Sequence, residues 1–208
     1  MFIPLVDLLR CPAAHEETWL VASIDRALER DIKQGALGCP VCLAEYPVRE
    51  GVVHFAEPAL PPYAAPSESE AIRLAAALDL TDARMTALVH GAWGAHAPLV
   101  IGISPAQLLL LNAPDGIASG DGVSLVRASR APLAHASINA AAIDAAASPE
   151  IVASVVSALR PGGRLLGPVT LDVPAGLAEL ARDEEVWVAE VGAVVASSAP
   201  ISITKKKH

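Results

Sequence analysis

Hydrophobic and polar positions change their pattern about a quarter of the way along the chain. Before Glu57 the apolar runs are short and broken by polar residues, as where His54 alternates with Val53 and Phe55 in a strand-like segment. Leu20, Ile24, Leu28 and Ile32 recur every four residues, which is helical spacing, although Thr18–Ile24 also reads as a strand. Glu57 to Pro66 is proline-rich, and proline stiffens a chain and removes donors, so it reads as a semi-rigid connector. Beyond it, Ser67 and Glu70 form a capping box that opens a helix through about Leu78, with Ile72, Leu74, Ala75 and Leu78 on its packing face.

From there strands and helices are expected to alternate, which implies a parallel sheet with helices on its faces. Strands are expected at Met85–Val89, Leu99–Ile103, Val123–Arg127, Ile138–Ile143 and Arg164–Leu166. Ser104-Pro105 reads as a cap and first residue of a helix through Leu111, and Ser148-Pro149-Glu150 repeats that chemistry for a helix to Arg160. Pro161-Gly162-Gly163 ends the latter. A helix near Ala175–Arg182 and closing strands at Glu185–Val191 and Ile201–Lys205 complete the pattern. The boundaries expected are 1–57 for a first domain, 58–66 for a linker and 67–208 for a second domain.

Composition narrows the classes. The chain is 53% hydrophobic, 3% aromatic and 18% charged, so its core is built from aliphatic side chains and alanine. The uncharged run from Met85 to Pro114 is broken by Gly91, Gly94, Pro98, Gly102 and Pro105, unlike a membrane span of about 20 apolar residues. The first residues lack a basic stretch and meet Pro4 and Asp7 early, so the expected location is cytoplasmic. A net charge of −8 disfavours general nucleic-acid binding, since an acidic surface repels phosphate backbones.

All three cysteines fall in the first 42 residues: Cys11, followed by Pro12, and the Cys39-Pro-Val-Cys42 knuckle. In a cytoplasmic chain this pattern suggests metal or redox chemistry rather than disulfides, and a redox C-x-x-C wants a βαβ unit that this segment cannot supply. Zinc takes four tetrahedral N or S ligands. Ala14 stands where a fourth cysteine would be expected, and His15 is the nearest replacement, with His54 a weaker one. The candidate ligand set is therefore Cys11, His15, Cys39 and Cys42. The alternative is a metal-free cluster of thiols.

The residues around these cysteines, Leu8-Leu9-Arg10-Cys11-Pro12, Cys39-Pro40-x-Cys42 and Tyr46-Pro47-Val48-x-x-Gly51-Val52, resemble the small zinc-ribbon activator subunits shared by tRNA, rRNA and release-factor methyltransferases. The resemblance covers about residues 1–57. It implies a β fold, favours a strand then a short helical turn after Thr18, and puts ligands at Cys11, Cys39 and Cys42.

The second part resembles a class I S-adenosylmethionine-dependent methyltransferase at Ile103-Ser104-Pro105, at Ala131-Pro132-Leu133 through Asn139, and at Leu159-Arg160-Pro161-Gly162-Gly163-Arg164-Leu165. The fold implied is α/β: a zinc-ribbon-like β domain followed by a Rossmann-like domain with a mostly parallel sheet. Such enzymes hold the cofactor with acids at strand ends. Aligned by motif, those positions hold Val89 or His90, Gly102, Arg127 or Ala128, and Asn139, and Gly91-Ala92-Trp93-Gly94 carries an indole in the glycine turn. Losing the ribose acid forfeits charge-assisted bonds worth about 1.5–3 kcal/mol each, so S-adenosylmethionine binding is not expected. No serine–histidine–acid arrangement has a nucleophile elbow either. No catalytic or cofactor-binding residue is assigned. The function expected is a non-catalytic scaffold or activating subunit acting on a protein partner, a methyltransferase or a second copy; the alternative is a methyltransferase with an atypical pocket.

Overall fold

The computed structural model describes residues 1–192. After a single helical turn, α1 (Ile3–Val6), four strands form an antiparallel meander: β1 (Val21–Leu28), β2 (Asp31–Gly38), β3 (Glu45–Arg49) and β4 (Val52–His54). The proline-rich segment leads to α2 (Glu68–Ala77), β5 (Thr86–His90), a 3-10 turn (Gly91–His96), α3 (Ala97–Ile103), β6 (Gln107–Leu111) and β7 (Val123–Arg127). Then come β8 (Ile138–Ala142), α4 (Pro149–Ala158), β9 (Leu159–Pro168), β10 (Leu177–Arg182) and β11 (Val186–Val191).

All eleven strands of the described residues belong to one sheet, in the order β1-β2-β3-β4-β7-β6-β5-β8-β9-β11-β10. From β4 to β9 every neighbouring pair is parallel, and β11 runs antiparallel to both β9 and β10. The chain steps outward on one side of β5 and then crosses to β8 on the other, so the strand order reverses there. This is the α/β, Rossmann-like methyltransferase fold with mostly parallel central strands that the sequence led us to expect. Such a reversal opens a crevice outside the carboxyl ends of the strands.

One face of the sheet packs α2, the 3-10 turn and α3 over Val89, Leu108, Leu110 and Leu125. The other packs α4 and residues Met1, Leu5 and Leu9 over Leu88, Leu109, Leu111 and Val126. Since β4 hydrogen-bonds to β7 and the first residues lie in the same core as α4, the cysteine-bearing meander and the parallel sheet share one framework.

Several expectations fail, each for a physical reason. Residues 97–103 form a helix rather than a strand: Pro98 sits at its start, and Pro105 forces Ser104 into an extended conformation that ends it. Ser104-Pro105 therefore closes a helix instead of opening one, and Ser104 Oγ donates to the Leu80 carbonyl at 2.7 Å. The second parallel strand is the leucine run ending at Leu111, buried on both faces. Residues 177–182 form an edge strand rather than a helix, held by pairing with β11. No helical turn follows Ile24, because β1 runs on to Leu28 against β2. The helix starts at Ser67 and Ser148 are as expected, each hydroxyl accepting from the residue three positions on. The strand expected at Ile201–Lys205 lies outside the described residues. No described helix is long and apolar enough to cross a membrane.

Candidate functional site

Two places gather chemistry. The first is the knuckle between β2 and β3, where Cys39, Cys42, Cys11 and His15 bring their ligand atoms within 4.8 Å of one another. A tight turn makes this possible: Leu43 N–H donates to the Cys39 carbonyl at 3.0 Å, Cys39 N–H donates to the Ala44 carbonyl at 2.9 Å, and Leu43 takes a left-handed φ of 60°. Cys11 arrives on the segment held to Trp19 by a bridge, its N–H donating to the Thr18 carbonyl at 3.1 Å.

The spacing can be tested against a metal. Tetrahedral zinc with Zn–S near 2.3 Å and Zn–N near 2.05 Å requires sulfurs about 3.8 Å apart and a sulfur–nitrogen distance of about 3.6 Å. Cys11 Sγ and Cys42 Sγ are 3.7 Å apart, and Cys39 Sγ is 3.4 Å from His15 Nε2. His15 Nδ1 lies 2.6 Å from the Glu16 carbonyl, so Nδ1–H donates there and Nε2 is left as the electron-pair donor. This is the outer contact that fixes the tautomer of a ligating histidine. Tyr46 Oη lies 3.2 Å from Cys11 Sγ and can donate to its thiolate.

Protonation follows the same geometry. Burial alone would raise the Cys39 thiol, but backbone N–H groups of Cys42 and Val41, with the Cys42 and Cys11 thiols, bring it down to about 6. The Glu16 carbonyl, then Cys11, push His15 up, and burial, then Cys11, raise the Tyr46 phenol. The donor set fits zinc, and four protein ligands leave no open position, which is the character of a structural site. His54 is elsewhere, 3.0 Å from Glu57 Oε1.

The second place is the crevice of about 450 Å³ at the carboxyl ends of β5, β6, β7 and β8, walled by Pro58, Leu60, Asn112, Ser129 and Ile151. Its floor is His90, buried at the end of β5, and Asp144, two residues beyond β8. His90 Nδ1 lies 3.0 Å from Asp144 Oδ1 without the alignment of a directed hydrogen bond. Asp144 also accepts from Ala92 N–H at 2.7 Å and Ala146 N–H at 3.1 Å. Burial works against its ionisation, yet His90 and these N–H groups hold its carboxyl below the usual range.

Both glycines of the turn are spent inside the protein. Gly91 has φ +61°, and a Cβ there would overlap the Asp144 carboxylate. A Cβ on Gly94 would come within 2.5 Å of the Ala113 methyl. Asn112 directly follows β6, and both ends of its amide are engaged: Nδ2 donates to the Ala128 carbonyl at 2.8 Å and Oδ1 accepts from Ala128 N–H at 2.9 Å.

This corrects the motif alignment. Gly102 lies on helix α3, exposed and with open space beside it, and does not end a strand. Asn139 is at the amino end of β8, away from the crevice, where its Oδ1 accepts from Thr86 N–H at 3.0 Å. Asp144 is the residue that reading the sequence missed, since its partners come from β5. Two further histidines are bound structurally: His96 Nδ1 accepts from Ser67 N–H at 3.1 Å, and His135 Nδ1 lies 3.4 Å from Ser157 Oγ.

No protein-family model matches the chain, and no curated protein matches it in sequence. Among solved structures, similarity is found to the MycE methyltransferase of mycinamycin biosynthesis at 12% identity and a TM-score of 0.47, covering 69% of this chain and 53% of that one. The [4+2]-cyclase SpnF matches at 17% identity and 0.43, covering 48% and 44%. The putative methyltransferase yhhF of Escherichia coli matches at 13% and 0.42, covering 65% and 91%. The chain thus spans less than two thirds of SpnF and of MycE. The likeness is one of fold and carries no chemistry to this crevice.

Proposed function

We propose that the chain is a non-catalytic, methyltransferase-like protein that acts through protein–protein contacts, as a scaffold or as an activating or stabilising subunit. One observation carries the reading: the polar groups at the strand ends that a cofactor would need are engaged by the chain itself, Asp144 with Ala92 N–H beside Gly91 and Asn112 with Ala128. A ligand entering there would have to displace a carboxylate holding two backbone N–H bonds. Hydrogen bonds to charged groups are worth about 1.5–3 kcal/mol each, so displacement is costly.

In this reading Cys11, His15, Cys39 and Cys42 hold a structural zinc that fixes the knuckle beside the outer edge of the sheet. Strand β1 is that edge, and it exposes Val21, Ile24 and Leu28, with Trp19 two residues before it and Leu43 exposed in the knuckle. Unpaired edges and exposed apolar side chains are surfaces that partners cover. The partner is an enzyme subunit, a methyltransferase by the resemblance of the first 57 residues, or a second copy of the chain. The atypical methyltransferase stays as a second reading on one specific ground, the buried His90–Asp144 pair on the floor of the crevice.

Native mass measurement of the tagged chain purified from its own cells tests the proposal. A complex with an enzyme subunit, or a homodimer, is the expected result. A lone monomer that transfers methyl groups from S-adenosylmethionine would overturn it.

A further inference from the structure

A larger crevice lies away from the strand-end site. It has a volume of about 650 Å³ and is bounded by Arg26–Leu28 of β1, Lys33 of β2, Glu50, Val52, the loop 115–119, and Leu125 and Arg127 of β7. Three cations border it in a chain whose net charge is −8. The central one is Arg127, whose side chain is only 7% exposed. Its Nη1 is enclosed and has no acceptor among the described residues. Its Nη2 meets only Asp115 Oδ1, at 3.3 Å, and Asp115 is 86% exposed on the loop.

That arrangement is unbalanced. A guanidinium removed from water needs acceptors for its planar donor fork, and a single long contact to a solvated carboxylate supplies one of them. Burial lowers the affinity of Arg127 for its proton, and Asp115 offsets this only in part. Lys33 Nζ donates to the Ser119 carbonyl at 2.9 Å and to Ser119 Oγ at 3.1 Å, tying the loop across the crevice with one N–H to spare. Arg26 stands at the mouth, loosely paired with Glu50 at 3.9 Å, both exposed. Exposed pairs of this kind are weak and exchange readily.

We propose that this crevice binds a small organic molecule through an oxyanion, a phosphate or a carboxylate, which takes the place of Asp115 on Arg127, with Lys33 and Arg26 adding charge. Two oxygens of such a group match the guanidinium fork, which a lone carboxylate oxygen at 3.3 Å does not. The loop 115–119 is the part that shifts, since Asp115 already faces solvent. The site does not depend on the strand-end crevice or on the metal cluster.

Calorimetric titration of the full chain with inorganic phosphate, and separately with succinate, tests this. Saturable one-to-one binding of at least one anion is expected, and which anion binds names the group. Arg127→Met should weaken it about tenfold or more, and Lys33→Met about threefold. Asp115→Asn removes the competing carboxylate and should tighten binding about threefold. If Arg127→Met fails to fold, Asp115→Asn and Lys33→Met decide. No saturable binding of either anion up to about 20 mM, or binding unchanged in the variants, overturns the proposal.

Discussion

Gly91→Ala is the sharpest perturbation of the strand-end crevice. At φ +61° an alanine adopts the left-handed conformation, which costs about 1–2 kcal/mol. Its methyl would also overlap the Asp144 carboxylate, nearest to Oδ2, the oxygen that accepts from Ala92 N–H at 2.7 Å. Losing that charge-assisted bond adds about 1.5–3 kcal/mol, for a total of about 2.5–5 kcal/mol. In an Asp144→Ala background the carboxylate is already gone, so Gly91→Ala should cost only the backbone part, about 1–2 kcal/mol. Urea unfolding of the native chain, both single variants and the double variant closes the cycle, with an expected coupling of about 1.5–3 kcal/mol. Costs that add to within about 0.5 kcal/mol would show that Gly91 is not there to receive Asp144, and would refute the reasoning.

Elemental analysis should find one zinc per native chain and none in Cys39→Ser or Cys42→Ser, with His15→Ala losing affinity; a native chain without metal ends the zinc assignment. Acidification should release the metal. The Cys39 thiol is lowered from 9.0 to about 6 in the folded chain, so the stability its thiolate supports is full above the ordinary thiol value and is lost as pH falls through about 6. For metal release the raised His15 acts in the same direction, since its Nε2 must be unprotonated to ligate. A zinc indicator dye followed from pH 7.5 to pH 4 measures the release; retention throughout would contradict the assigned ligands. Asn112→Ala removes both bonds to Ala128 and leaves two buried backbone groups unpaired, a loss of about 2–4 kcal/mol in urea unfolding.

The cysteine knuckle was legible because its chemistry is local: Cys39 and Cys42 are fixed by one turn, and His15 lies four residues from Cys11. The helix caps at Ser67 and Ser148 were legible for the same reason. The parallel sheet came through from the alternation of elements, but the positions of its strands did not where apolar runs are ambiguous. Residues 97–111 hold two apolar runs separated by Ser104-Pro105, and that pair reads equally as a helix start or a helix stop. What decides is that Leu108–Leu111 is buried on both faces between β5 and β7, a fact of pairing rather than of periodicity. Leu177–Arg182 is made of good helix formers and is held extended by β11, so tertiary pairing overrides propensity. Asp144 and the orphaned Arg127 were illegible because their significance depends on what lies beside them, from strands 50 residues away in one case and from the cysteine-bearing meander in the other.

The central claim, that the polar groups at the strand ends are engaged from within, meets its most direct test in calorimetric titration of S-adenosylmethionine into the metal-loaded chain. No saturable heat up to about 1 mM is predicted, because Asp144 and Asn112 already use the groups a cofactor would need. Binding at micromolar concentration, lost on mutation of His90 or Asp144, would contradict it.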